Sequence, residues 1–218
     1  MSVSRVLALL ACVACISCAS ETVKPQPKQP ELAANDTPQH AIQRFVGAYE
    51  QKKASEYADM FTGDFSFEFS NDSDPNLVAK YASGWFKSDE VAASTHLFQG
   101  FTPQGQPSLP AATSINIDFS VNVPEDDNGS GDPHTHKRLA TRVDGEIVVP
   151  PTAPSTDPLH YLISNNFNVL YLVRGDEALE LAASQPADTL HWYIHRWVDL
   201  SYYAGKFWTW AAFRDLYR

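Results

Sequence analysis

The stretch LHWYIHRWVDL (Leu190–Leu200) sets one arginine among apolar and aromatic neighbours. Side chains alternate along a strand with period two, so Trp192, Ile194, Arg196 and Val198 are expected on one face and His191, Tyr193, His195 and Trp197 on the other. A guanidinium on an apolar face needs an acidic partner or solvent. Turned into an enclosed pocket, Arg196 would grip a carboxylate or phosphate through two parallel N–H bonds. On an open face it would pair with Asp199 or Glu68. His191 and His195 share a face but stand about 13 Å apart at the usual rise, too far to share a metal ion. His96 and Asp64 would form an acid–base pair if the fold brought them together. The candidate ligand contacts are therefore Arg196, Trp192, His96 and Asp64.

Other chemistry is incomplete. Asp126 to Asp132 (DDNGSGD) follows the first half of a calcium-binding loop, but Lys137 stands twelfth, where a bidentate Glu is required. His134 and His136 would share a face beside those carboxylates, a pattern open to zinc or copper, with a solvated hairpin tip the preferred reading. There is no Ser/His/Asp order, no glycine-rich phosphate loop and no redox cysteine pair. The sequence gives no reason to expect a metal or cofactor, and it names no catalytic residue.

These residues need elements to position them. Thr37 is a good helix cap, Pro38 suits a first turn, and Ile42, Phe45, Val46 and Tyr49 follow at helical spacing. A second short helix is expected from Ser55 to Phe61, ended by Gly63. Phe65, Phe67 and Phe69 then alternate as a strand. Asn71 to Ser83 reads as a loop, and Ser88-Asp89-Glu90 as the start of a third helix, where the dipole favours negative charge. Ile115 to Val123 alternates strictly. His136 to Val149 is a strand bent near Asp144-Gly145, Pro150 to Pro158 a loop, and Phe167 to Val173 a strand. Glu177 to Ala183 is helix-like, and Thr209 caps a last helical turn. Helices at the front and strands in succession behind them imply an α+β domain with an antiparallel sheet.

This order resembles the NTF2-like (SnoaL-like, ketosteroid-isomerase-like) fold. Pro38 to Phe69, with EYADMFTGDFSFEF, and the closing HWYIHRWVDL carry the resemblance. More narrowly, the chain is similar to a group of uncharacterised bacterial lipoproteins that close on W-x-I-x-R-W-x-D, here Trp192, Ile194, Arg196, Trp197 and Asp199. A Thr209-Trp210 helix ending in Leu216-Tyr217-Arg218 follows. The resemblance covers residues 37–218. It implies a curved antiparallel sheet packed on N-terminal helices around a conical pocket, with loops longer than the minimal fold at Phe101–Thr113, Pro124–Pro133, Pro150–Ser164 and Gly175–Asp188. It leaves three readings open: a binding or interaction module, an acid–base enzyme (lyase, isomerase or hydrolase) working in the cone, or a structural envelope protein whose cone is filled by its own Trp and Phe side chains. In relatives the outer sheet face serves dimerisation, so a homodimer through that face is a further expectation.

The address comes from the start of the chain. Residues 1–18 carry one charge, Arg5, and an apolar run too short to span a bilayer, which needs about 20 residues. Cys15-Ile16-Ser17-Cys18 resembles a lipobox, which implies a lipid anchor on Cys18; an ordinary cleaved signal near Ala19 is the alternative. Ala19, where an Asp would mark inner-membrane retention, implies the outer membrane; without the anchor the protein would be periplasmic or secreted. All three cysteines lie in this leader, so nothing remains to form disulfides in the body of the chain. The proline-rich segment 19–36 reads as a disordered tether. A net charge of −10 argues against nucleic acid as a partner, since phosphate contacts need a basic face.

Overall fold

The computed structural model describes residues 30–69, 75–129, 131–152, 154–176, 180–182, 185–201 and 208–218. Cys18 and the leader lie outside them. Glu31–Arg218 form one compact unit. Packing begins inside the segment expected as tether: Leu32 lies against the core, and Asn35 exchanges two hydrogen bonds with the backbone of Trp192.

Helix α1 (Pro38–Glu50) starts as its sequence dictates, with Thr37 Oγ1 accepting the His40 N–H at 3.1 Å. Its apolar stripe, Ile42, Phe45 and Tyr49, is buried. Helix α2 (Ala54–Ala58) follows, and strand β1 (Phe61–Phe69) begins earlier than the alternation suggested, with Gly63 inside it. The expected loop after β1 contains a helix, α3 (Pro75–Lys80). Strand β2 (Trp85–Phe86) leads into α4 (Lys87–Gln99), where Asp89 accepts the Phe86 N–H at 2.9 Å.

Strands β3 (Ser114–Val121), β4 (Glu125–Asp126), β5 (His136–Val149) and β6 (Leu159–Arg174) then pair in antiparallel succession. β6 begins within the stretch expected as loop, and the run expected as helix holds a strand instead, β7 (Glu180–Ala182), which pairs antiparallel with β8 (Gln185–Pro186) just beyond it. Strand β9 (Trp192–Asp199) and helix α5 (Trp210–Leu216), capped by Thr209, close the chain. The main sheet runs β2-β1-β9-β6-β5-β3, with β4 beside β5. It is α+β as expected, but mixed: β1 and β9 are parallel. The two strands are neighbours in the sheet but far apart along the chain, so no hairpin constrains their direction.

Two irregularities decide which side chains face which way. Between β5 and β6, Val143 pairs with Asn166 and Gly145 with Ile163, leaving Ser164 and Asn165 opposite Asp144. Asn165 takes a positive φ of 56°, tolerable for asparagine. Gly145 is required here, since a Cβ would stand 2.7 Å from the Asn116 carbonyl oxygen on β3. The bend expected at Asp144-Gly145 is this bulge. In β9, Arg196 pairs with Tyr171 but Ile194 with Leu172, so His195 is an extra residue. Among the described residues no helix is long and apolar enough to cross a membrane.

Candidate functional site

The inner face of the sheet is occupied by the protein's own rings. Phe45 meets Phe119 at 5.4 Å and Trp197 at 5.6 Å between ring centroids; Trp197 stacks on Trp210 at 5.9 Å, and Tyr49 meets Trp210 at 5.2 Å. At the centre lies an ion pair that the sequence reading missed. Glu90 of α4 and Arg214 of α5 pair while almost wholly buried. The Tyr57 hydroxyl donates to Glu90 Oε1 at 2.5 Å and the Trp85 indole N–H to Oε2 at 3.1 Å. The guanidinium also faces Phe67 at 4.7 Å, Trp197 at 4.8 Å and Trp85 at 5.1 Å. Burial pulls the Arg214 pKa down to about 10, which still leaves it a cation at neutral pH. Burial likewise pushes the Tyr49 and Tyr57 hydroxyls up. The chemistry of this centre is internal: both carboxylate oxygens are engaged by protein donors. Glu90 looked in sequence like a solvated first-turn acid, whereas it lies on the helix face that also buries Ala93, Ser94 and Leu97.

The residues singled out from sequence are not brought together. The extra residue at His195 resets the alternation of β9, so Ile194 and Trp197 turn inward, both fully buried, while Arg196 turns to the outer face. There its guanidinium covers the Tyr171 ring at 3.7 Å and stands 3.6 Å from Glu68. Arg196 therefore does not enter the cone, and of its two expected partners Glu68 is the one it meets. Trp192 is a core residue, 7% exposed. His96 donates from Nδ1 to the Tyr217 carbonyl at 2.7 Å and stacks on Phe101 at 3.7 Å. Asp64 is exposed on β1 and makes no pair with His96; its electrostatic neighbour is His195. Burial holds the His195 imidazole below its ordinary pKa, with Asp64 acting against the shift and His136 and Arg196 adding to it. In the acidic loop, Lys137 pairs with Asp126, and no group of three His, Cys, Asp or Glu among the described residues could hold a metal ion.

The outer face carries a different arrangement. A groove of about 380 Å³ opens over β3, β5 and β6, lined by Ser120, Asn122, Arg142, Phe167, Val169 and Leu200 among others. Phe167 is 52% exposed and Leu200 47%. Beside the groove the inward positions of β6 are instead Asn166 and Asn168, followed along the strand by the buried Leu170 and Leu172. The Asn166 Oδ1 accepts the Trp210 N–H at 2.8 Å and the Ser201 hydroxyl at 3.0 Å, and the Asn168 Oδ1 accepts the Trp197 indole N–H at 2.7 Å. Two asparagines thus hold α5 and β9 from inside, and the aromatic is left outside. Beside the groove, Arg142 Nε donates to Asp144 Oδ2 at 2.7 Å, and Asp144 Oδ1 accepts the Asn165 N–H at 2.7 Å and the Ser164 hydroxyl at 3.3 Å. The Asn165 N–H first, helped by Arg142 and Ser164, holds the Asp144 carboxyl below its usual range against the opposing effect of burial. The sequence signals for this site were the Asp144-Gly145 bend and the Asn165-Asn166 pair opposite it.

No protein-family model matches the chain, and no curated protein matches it. Solved structures do. A ketosteroid isomerase-like protein from Erwinia carotovora atroseptica is 8% identical over 75% of this chain and 93% of its own, with a TM-score of 0.42. An NTF2-like protein from Rhodospirillum rubrum is 7% identical over 74% of this chain and 94% of its own, TM-score 0.40. A SnoaL-like protein from Shewanella denitrificans is 10% identical over 76% of this chain and 90% of its own, TM-score 0.40. These three carry the NTF2-like, SnoaL-like and ketosteroid isomerase-like names that the sequence resemblance had given.

Proposed function

We propose that this protein is an NTF2-like binding module tethered to the cell envelope through a lipid on Cys18, and that it takes its ligand on the outer face of the sheet. The observation that carries the reading is the contrast between the two faces. The inner face is packed with rings around a committed ion pair, while the outer face holds a groove with two half-exposed apolar side chains. A groove of this volume lies within the range of small-molecule sites, about 300–1,000 Å³. The acid–base alternative needs a titratable group free to exchange a proton with a substrate in the cone, and Glu90 is engaged by Tyr57, Trp85 and Arg214.

The tether and the groove are tested separately. Cys18→Ser is expected to move the protein from the membrane to the soluble fraction; unchanged membrane association removes the anchor from the proposal. For the groove, the purified full-length chain is titrated with the neutral fluorophore N-phenyl-1-naphthylamine. Phe167→Ala is expected to weaken binding about fivefold, as expected for losing one half-buried aromatic contact. An affinity indifferent to Phe167 would place binding elsewhere.

A further inference from the structure

We infer that the outer-face groove selects small ligands with an apolar body and a carboxylate, read by Arg142, with Asp144 as the residue that positions it. This inference rests on the reading of the groove as a binding site and adds the class of ligand.

The protein carries a net charge of −10, yet among the described residues that line the groove Arg142 is the only charged one. The remainder of the lining divides in two. Ala140, Phe167, Val169 and Leu200 are apolar, and Ser120, Asn122, Thr141 and Asn168 bring hydroxyls and amides. An occupant that satisfies all of it has an apolar body and one anionic end.

Geometry then makes Arg142 a reader rather than a stray surface charge. A free arginine side chain samples many rotamers and loses that entropy when it binds. Arg142 is held through Nε alone, by Asp144 Oδ2 at 2.7 Å. Asp144 is fixed in turn by two donors of the bulge opposite it, the Asn165 N–H and the Ser164 hydroxyl. This chain runs from a backbone irregularity to a guanidinium. It spends the Nε–H on orientation and leaves the terminal nitrogens, which make no hydrogen bond among those described, for a planar partner. A carboxylate matches that fork in shape and charge. Phe167 lies one residue beyond Asn166 on the same strand and pairs across the ladder with Arg142, so the apolar and cationic parts of the site are cross-strand neighbours.

The test compares two isosteric probes on the full-length chain by isothermal titration calorimetry: 1-naphthoate and its neutral amide, 1-naphthamide. The expected result is a preference of about tenfold for the naphthoate, the size of one charge-assisted contact at a partly exposed site. Arg142→Gln is expected to abolish the preference, with naphthoate affinity falling about tenfold further than naphthamide affinity. Arg142→Lys is expected to keep the charge but only part of the preference. Asp144→Asn should lower naphthoate affinity a few-fold with naphthamide affinity unchanged, which a general loosening of the fold would not do. Phe167→Ala should weaken both probes. Equal binding of the two probes, still sensitive to Phe167, overturns the carboxylate inference and leaves the groove standing. Binding indifferent to both Phe167 and Arg142, or no binding of either probe, overturns the groove and the inference together.

Discussion

An arginine lies against each face of this sheet, Arg214 of α5 on the inner side and Arg142 of β5 on the outer, and the two live in opposite circumstances. Arg214 is buried, meets the carboxylate of Glu90 and lies among four aromatic rings. Arg142 is half-exposed and gives one N–H to Asp144. A buried charge must be compensated on every side, because an uncompensated ion in a low-dielectric interior is far more expensive than the pair is favourable. The same requirement that makes Arg214 structurally indispensable removes it from ligand chemistry. Arg142 pays little desolvation, contributes little to stability, and keeps donors for something else.

The largest expected effect tests the inner half of that contrast. Arg214→Leu leaves Glu90 buried and unpaired and is expected to cost about 3–5 kcal/mol in urea unfolding followed by tryptophan fluorescence. The double variant Glu90→Leu with Arg214→Leu is expected to recover much of the loss, since a well-packed apolar replacement removes both desolvation costs. Recovery would show that the pair is a packing device; a double variant as damaged as the single one would assign it a further role.

A smaller effect concerns the bulge that orients Arg142. In Gly145→Ala the new methyl carbon would meet the Asn116 carbonyl oxygen at 2.7 Å and Ile117 Cγ2 at 2.8 Å, so β3 must move away from β5. Overpacking of this kind costs about 1–3 kcal/mol. The comparison is sharpened if the thermal midpoint falls and the naphthoate preference falls with it, because the bulge then serves both. A stability loss with the preference intact would detach Arg142 from the bulge.

The bulge at His195 sorts the faces of β9, and it should be sensitive to acid. Burial depresses the folded-state pKa of His195, so at low pH the unfolded chain binds a proton that the folded chain resists. Stability therefore rises with pH through the ordinary imidazole range, near 6.5, and is lost as pH falls below it. The slope from this one group is at most about 1.4 kcal/mol per pH unit. His195→Gln should flatten the stability profile between pH 7 and 5, and an unchanged profile would assign the acid sensitivity to other groups.

What could be read from sequence follows the same division. Elements with strict periodicity were legible: α1, β3, the bent β5, β9 and the capped α5 all lie where spacing and caps place them. The bend at Asp144-Gly145 was legible because a strand pattern containing Asp-Gly signals an irregularity. The facing of Arg196 was not, because one inserted residue at His195 inverts every later assignment and single residues carry no mark of register. Glu90 and Arg214 escaped for a related reason. Each is unremarkable on its own helix, and only the packing of α4 against α5 turns two surface-type residues into a core pair. β6 misled most, since its alternation of Phe167, Val169 and Tyr171 marks the outer face, while the buried face runs Asn166, Asn168, Leu170 and Leu172.

The smallest effect is expected at Arg196, and it is the most discriminating for the outer face. Arg196 is the arginine that sequence reasoning favoured, and it shares the outer face with Arg142. Its contacts are a ring face at 3.7 Å and a carboxylate at 3.6 Å, both internal to the protein and partly solvated. Exposed contacts of these kinds contribute up to about 1 kcal/mol. Arg196→Gln should therefore shift the urea midpoint slightly and leave both naphthyl probes binding as before. Salt should screen the small stability effect, since half of it is an exposed ion pair. If Arg196→Gln instead removes the naphthoate preference, the anion is being read over β9 and β1, and the groove over β5 and β6 loses its role. If it leaves the preference untouched while Arg142→Gln abolishes it, two arginines on one face are separated by what holds them: Arg196 has an aromatic lid and an acid of its own, and Arg142 has a buttress behind it and an open fork in front.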